Sequence, residues 1–395
     1  MTASPTQPDS VTAPDGYPRF SAEEMARRRQ ALAEAVERAG AKTVVVYGAT
    51  RGGTAVPWLT QWPVTREAAV TWSPGAGDPA LYVQFANHLD NARELAQRVD
   101  VRWGGSSTFE TLARDLRRSA GSGRYPLALV GPLPASAARL LAEAGADLVF
   151  LDRAYRELRQ VKSAEEIGWV RRGAELTDAA VRALAQGTKA GMTETELGAL
   201  VETAYVAAGG STHIHYFATT PMASPQRRAP AQWPSTRRLE PGDVVVCEIS
   251  AAWWGYPGQL LRTFTVEADP TPLYRRLHEV AEEAFAAISE RVAPGATGAD
   301  LAEAATLVEK AGLATCDDLV HGFVGGYLPP VVPGTGRPPQ HAAFVLEPHM
   351  TLVVQPNVVT PDAAAGVQTG ELLLVTESGY ERLHRYPAGL GHIGG

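Results

Sequence analysis

His213 and His215 stand two residues apart in the stretch Thr212-His213-Ile214-His215-Tyr216. The residues around them read as a β-strand, where alternate side chains share a face. Two imidazoles on one face of a pocket could act as bases near neutral pH. A pair of sheet-surface histidines making ordinary hydrogen bonds has the same spacing. His321 sits in a Gly-flanked loop, VHGFVGG, the kind of segment that presents a side chain to a site. His88, His278, His341, His384 and His392 carry no spacing signal and are read as surface residues. The two cysteines, Cys247 and Cys316, form neither a CxxC metal pattern nor a disulfide framework, which fits a reducing cytoplasm. GFVGGY and VPGTGRPP lack the Lys-Ser/Thr ending of a phosphate-binding loop.

These residues need a scaffold. At 395 residues and 45% hydrophobic, the chain can bury a sizeable core in two or three domains. Its net charge of −7, with no basic stripe, argues against nucleic-acid and anionic-membrane partners. No apolar run is long enough to span a bilayer. Residues 1–18 read as a disordered tail and not a signal peptide.

From Phe20 a helical pattern opens with Ser21 and Glu24 spaced as a capping box. Strands are expected at KTVVVYG, WLTQW, AAVTWS, ALYVQF, LALVGP and DLVFLD, with a helix over 135–144, giving an α/β domain over 19–155. Arg153 to Glu202 reads as helical. The strands HIHYFATT, DVVVCEISAAWW and LLRTFTVEA follow, then helices over 273–292 and 297–311, then the strands TLVVQPNVV and GELLLVTE. That order predicts an α+β domain over 156–395, helices packed on a curved antiparallel sheet.

Several stretches, in order along the chain, resemble the "pita-bread" family of aminopeptidase P, prolidase, methionine aminopeptidase and creatinase. VKSAEEI (161–167) is similar to the family's VKSxxEI helix start and LEPGD (239–243) to its LxxGD turn. Tyr256 and Leu261-Arg262-Thr263-Phe264 resemble GYxxDxTRTF, and His321-Gly322 the HGxG loop. LEPHM through Gln355-Pro356 resembles LxxGMxxxxEP, and the run from Gly366-Val367 to Glu381 resembles GVRIEDxxLVTEDGYE. In the first domain WLTQW is similar to YLTGF.

The resemblance implies a site of two Asp, one His and two Glu holding two divalent metals, whose bridged water attacks a peptide carbonyl. Carried over position by position, the first Asp falls on Glu248, the second on Gln259, the His on His321 and the first Glu on Gln355. The second Glu falls on Gly370, with Glu371 one place along and so expected on the opposite strand face. Leu328 stands near the family's second loop His, and Ala231 where creatinase and many peptidases carry a catalytic His. His349 replaces a turn Gly and is read as local structure. Two amides, one imidazole and one carboxylate do not offset two dications, so no cofactor is expected beyond a single weakly held divalent metal.

The expected function is therefore metal-independent hydrolysis or elimination of a small amino-acid-derived molecule by His321 and Glu248, assisted by His213 or His215. Gln259 and Gln355 would orient the substrate. Tyr256 and Arg262, in the pocket's framework, and Tyr327 are grouped with them on the substrate side. In dimeric relatives the first domain of one subunit closes over the other's site, so Arg51, in the loop ATRGGT, could clamp a substrate carboxylate of a homodimer. The alternatives are a non-catalytic binder and a residual single-metal Xaa-Pro-type peptidase.

Overall fold

The structure is a computed structural model, and it describes residues 16–50, 52–120, 123–337 and 344–394. The expected tail over 1–18 falls almost wholly outside the described residues, as does His341. The chain divides into two compact units between Arg159 and Gln160.

The first unit runs α1 (Ala22–Arg38), β1 (Thr43–Ala49), α2 (Ala55–Thr60), β2 (Glu67–Trp72), β3 (Ala80–Val83), α3 (Leu89–Leu95), β4 (Asp100–Trp103), α4 (Thr108–Ala120), β5 (Tyr125–Val130), α5 (Ala135–Glu143), β6 (Ala146–Phe150) and α6 (Asp152–Leu158). Its sheet has the order β4-β3-β2-β1-β5-β6, with β1 antiparallel to β2 and parallel to β5. The β-branched run Val44-Val45-Val46 is fully buried, as a strand covered on both faces must be. WLTQW is a correction: it is not a strand but the end of α2 and its cap. Ala55, Trp58, Leu59 and Trp62 are buried at helical spacing, and Gln61, at φ +61°, ends the helix.

The second unit opens with α7 (Ala164–Gly187) and α8 (Glu194–Val206). It continues through β7 (Ser211–Pro221), β8 (Asp243–Trp253), β9 (Tyr256–Pro257), β10 (Leu260–Val266), α9 (Pro272–Ser289), α10 (Gly298–Ala304) and α11 (Leu307–Lys310). It closes with β11 (Ala314–Thr315), β12 (Val320–Phe323), β13 (Tyr327–Val332), β14 (Thr351–Val354), β15 (Val358–Val359), β16 (Gly370–Val375), β17 (Tyr380–Arg382) and β18 (Gly391–Ile393). The expected helix over 297–311 is two short ones. Capping boxes start α7 (Ser163/Glu166) and α8 (Thr193/Glu196), each cap contributing about 1 kcal/mol.

The large sheet runs β13-β12-β14-β16-β10-β8-β7 and is antiparallel along that path, the curved sheet of a pita-bread fold. Val245, Cys247, Ile249 and Ala251 of β8 share a core with α7 and α8, whereas Val244 and Val246 pack with α9. Helix α7 lies directly on the β9 segment: a Cβ on Gly173 would meet the Tyr256 carbonyl oxygen at 2.2 Å, and one on Gly258 the Ala174 Cα at 2.5 Å. That crossing fixes the chain just before Gln259.

Two histidines read as surface residues are buried. His278 lies on α9 beside Thr369, and His384 bonds Asp178 of α7 at 2.8 Å. His278 lies on the buried stripe of α9 with Tyr274 and Ala281, whereas the contact of His384 with Asp178 is long-range and leaves no local spacing signal.

Candidate active site

Because Cys247 and Ile249 face α7 and α8, strand alternation turns Glu248 and Ser250 the other way. Tyr216 of β7 and Leu261 of β10 are the cross-strand neighbours of Glu248, and Gly370 of β16 pairs with Leu261. Gln259, two residues before Leu261 and so on the same side, donates its amide to Glu248 Oε1 at 2.6 Å. Gln368, two residues before Gly370, donates to Glu248 Oε2 at 3.4 Å. While Glu248 is ionised its oxygens only accept, and both amides then turn N–H inward and their carbonyls away. Burial, with the nearby Asp317 charge, pushes the Glu248 carboxyl up to about 7, against the opposing hydrogen bond from Gln368.

His321 lies on β12, and its Nδ1 contacts the Gly322 carbonyl at 3.0 Å. A carbonyl only accepts, so Nδ1 carries the proton and Nε2 keeps its lone pair. Burial lowers His321 to about 4. The Tyr327 ring stacks on it at 4.0 Å, and the Tyr327 hydroxyl donates to Asp318. The charges of Asp318, Asp317 and Glu248, with burial first, hold that phenol well above its usual range, tying the two halves of the cluster together. Gln355 donates to the Asp318 carbonyl at 3.2 Å. It also lies beside His321, favouring the protonated ring.

The two histidines of β7 do not share a face. A β-bulge between Thr212 and Ile214 breaks the alternation at His213. His215 pairs with Ile249 and bonds the Tyr205 hydroxyl of α8 at 2.8 Å, away from Glu248. His213 packs edge-on against Phe323, which also touches His321. Of the pair, only His213 stands on the His321 side.

Two substrate-side assignments are corrected. Arg262 pairs with Cys247, on the face opposite Glu248. Its guanidinium donates to the Pro387, Leu261, Gly370 and Tyr386 carbonyls and to Glu371, so it is a framework residue. Tyr256 donates to Glu166 of α7 at 2.9 Å and is framework too. Glu371 is held by Arg262 at 2.9 Å and by Arg382 Nη2 at 2.8 Å, which keep its carboxyl below the usual range against the effect of burial. A Cβ on Gly370 would meet the Val354 carbonyl oxygen at 2.4 Å and Gln355 Cα at 2.9 Å. His349 adopts φ +69°, the left-handed turn conformation of the Gly it replaces. Arg51 lies outside the described residues. Among the described residues no three His, Cys, Asp or Glu side chains converge as a metal would require.

Sequence reasoning missed Gln368, Tyr216, Asp317, Asp318 and Phe323. Gln368 was within reach, because it lies two residues before Gly370 and inherits its face. Phe323 lies two residues after His321, on the same strand face. The aspartates depend on a loop whose path no periodicity predicts.

Residues 168–377 match metallopeptidase family M24. The Xaa-Pro dipeptidase of Pyrococcus furiosus is 27% identical over 240 residues, which span 59% of this chain and 65% of that protein. A probable dipeptidase PepE of Mycobacterium bovis is 27% identical over 94% of this chain and 97% of its own. Among solved structures, prolidase from Pyrococcus furiosus superposes with a TM-score of 0.76 at 22% identity, covering 90% of this chain and 99% of its own. Prolidase from Thermococcus sibiricus gives 0.79 at 19% identity, covering 95% and 100%. The shared fold and the matched stretch, more than half of the chain, carry one conclusion: this protein belongs to metallopeptidase family M24, the family of the aminopeptidases P and prolidases.

Proposed function

We propose that the protein is a hydrolase or lyase that acts without metal on a small amino-acid-derived molecule. One observation carries the reading: Gln259 places an amide N–H 2.6 Å from Glu248 Oε1, where a metallopeptidase needs a bare oxygen. Glu371 supports it, being neutralised by two guanidiniums on the opposite sheet face, and so does Gly370, which has no room for a carboxylate. The residues present do not fit a pair of dications.

In this reading Glu248, raised to about 7, carries its proton in a sizeable share of the molecules at neutral pH while His321 is neutral, because burial moves the two in opposite senses. His321 Nε2 accepts a proton from water or from an acidic C–H of the substrate, and Glu248 donates one to the leaving group. His213 and Tyr327 shape the His321 side. Gln259 and Gln355 orient the substrate. A homodimer and a cytoplasmic setting complete the reading. The test is turnover of a panel of N-substituted amino acids and dipeptides by protein of measured metal content, before and after chelation. Turnover that vanishes with the metal and returns on adding it sinks the proposal.

A second reading rests on the relatives named Xaa-Pro dipeptidase and on retained His321 and Glu248: a single-metal Xaa-Pro peptidase. Hydrolysis of an Xaa-Pro dipeptide only in the metal-loaded protein would establish it.

A further inference from the structure

Helix α1 turns a stripe of small and apolar residues, Ala22, Met25, Ala26 and Ala33, toward the turn that follows β2. Between them lies a cavity of about 270 Å³, lined wholly by residues of the first unit. The alanines leave open the room that larger core side chains would fill. Trp72 and Pro74 also line it. The Trp72 indole N–H is spent on the Gly77 carbonyl at 3.1 Å, so this ring is fixed and brings no free donor.

Two guanidiniums share this apolar setting, Arg29 on the same stripe and the exposed Arg98. Arg29 gives Nη2 to the Gln97 and Arg98 carbonyls at 2.6 and 2.9 Å. Its Nε is buried without a partner. Its Nη1 makes no hydrogen bond among the described residues, because Asp78 stands 3.7 Å away with a side chain 63% exposed. The Arg98 guanidinium has no hydrogen bond or ion pair among the described residues. Burial weakens the hold of Arg29 on its proton, Asp78 opposing this and the Arg98 charge adding to it. Two like charges therefore stand near each other with one loosely placed acid between them and solvent.

Apolar walls with two poorly neutralised guanidiniums select an anion with an apolar body. A cation is repelled, and a bare phosphate gains nothing from the Trp72 wall. Sites for drug-sized ligands run from about 300 Å³ upward, so this volume suits one ring with a short acidic arm. We propose that the cavity binds a small aromatic monocarboxylate, its carboxylate bridging Arg29 Nη1 and the Arg98 guanidinium and its ring lying between Ala26 and Trp72. Charge-assisted hydrogen bonds hold one end and ring contact the other. None of these residues takes part in the chemistry assigned to Glu248 and His321.

The experiment titrates the full-length protein with phenylacetate, its neutral isostere phenylacetamide, and inorganic phosphate, by calorimetry and by NMR of backbone and indole N–H groups. Phenylacetate should saturate at millimolar concentration, shift the Trp72 indole and the α1 amides, and bind about 10-fold or more tightly than phenylacetamide. Arg98→Met should weaken phenylacetate by about 10-fold, and Ala26→Leu, which fills the cavity, should abolish its binding. Both positions are exposed, so far-UV circular dichroism should stay as in the parent. Equal binding of phenylacetamide, tighter binding of phosphate, an unchanged affinity in Arg98→Met, or shifts confined to the strands around Glu248 overturns the proposal. If Ala26→Leu does not fold, the parent-protein titrations and Arg98→Met decide.

Discussion

Gln259 and Glu248 face each other across the β8–β10 pair, the amide giving its N–H to the carboxylate at 2.6 Å. This contact decides what can approach Glu248. Replacing Gln259 with Glu exchanges a donor for a second hard oxygen at the same spot. Mn²⁺ affinity measured by calorimetry should rise by about 10-fold or more in Gln259→Glu. An unchanged affinity would mean that something other than the amide keeps dications from Glu248.

His321→Ala and Glu248→Gln should each lower turnover by about 10²–10⁴-fold, the range of a lost acid or base, with thermal unfolding close to the parent's. A variant that folds and keeps full activity would remove that residue from the mechanism.

Glu371→Ala leaves the buried Arg262 guanidinium without its carboxylate. Breaking such a pair from one side costs about 3–5 kcal/mol. Denaturant unfolding should show that loss. A stable Glu371→Ala protein with abolished turnover would instead place Glu371 in the chemistry.

Burial holds His215 and His278 near 4 in the folded protein, well below the 6.5 of a solvated ring. Above about 6.5 both states are neutral and the two rings add no pH dependence. Below it the unfolded chain binds protons that the folded protein refuses, so stability falls as pH drops from about 6.5 toward 4. His278→Leu should flatten that slope in unfolding measured across the window. A slope identical to the parent's would mean that His278 titrates normally.

Gly173→Ala puts a methyl into the Tyr256 carbonyl at the crossing of α7 and β9. It should cost about 1–3 kcal/mol by overpacking and displace Gln259, reading out as lower stability together with altered binding at Glu248. Lower stability with unchanged binding would show that the crossing does not set the position of Gln259.

The curved antiparallel sheet was legible because β8, β14 and β16 carry the apolar runs VVVC, LVV and LLLV between turn residues, and ordered motifs located them together with β10. Alternation alone puts Glu371 opposite Gly370, where it stands. Alternation failed at His213 and His215, because a bulge costs one residue of register and leaves no mark on composition. It failed again at WLTQW, where 55, 58, 59 and 62 follow the helical period but the segment is too short for that period to stand out from a strand. His384 hides for a different reason: its partner Asp178 lies 206 residues away. For Tyr256 and Arg262 the motif fixes the neighbourhood only; which face each side chain takes is set by the strands beside it.

Gly370 sets a limit on how this protein can be altered. Since the Val354 carbonyl and the Gln355 backbone fill the space a side chain would need, no single substitution can install an acid there. Any route to a carboxylate at that point must first pull β14 and β16 apart, at the expense of the ladder that closes the middle of the sheet. A carboxylate at this point has to begin with the backbone, and side-chain changes at Gln259 and Gln355 leave the position of Gly370 as it is.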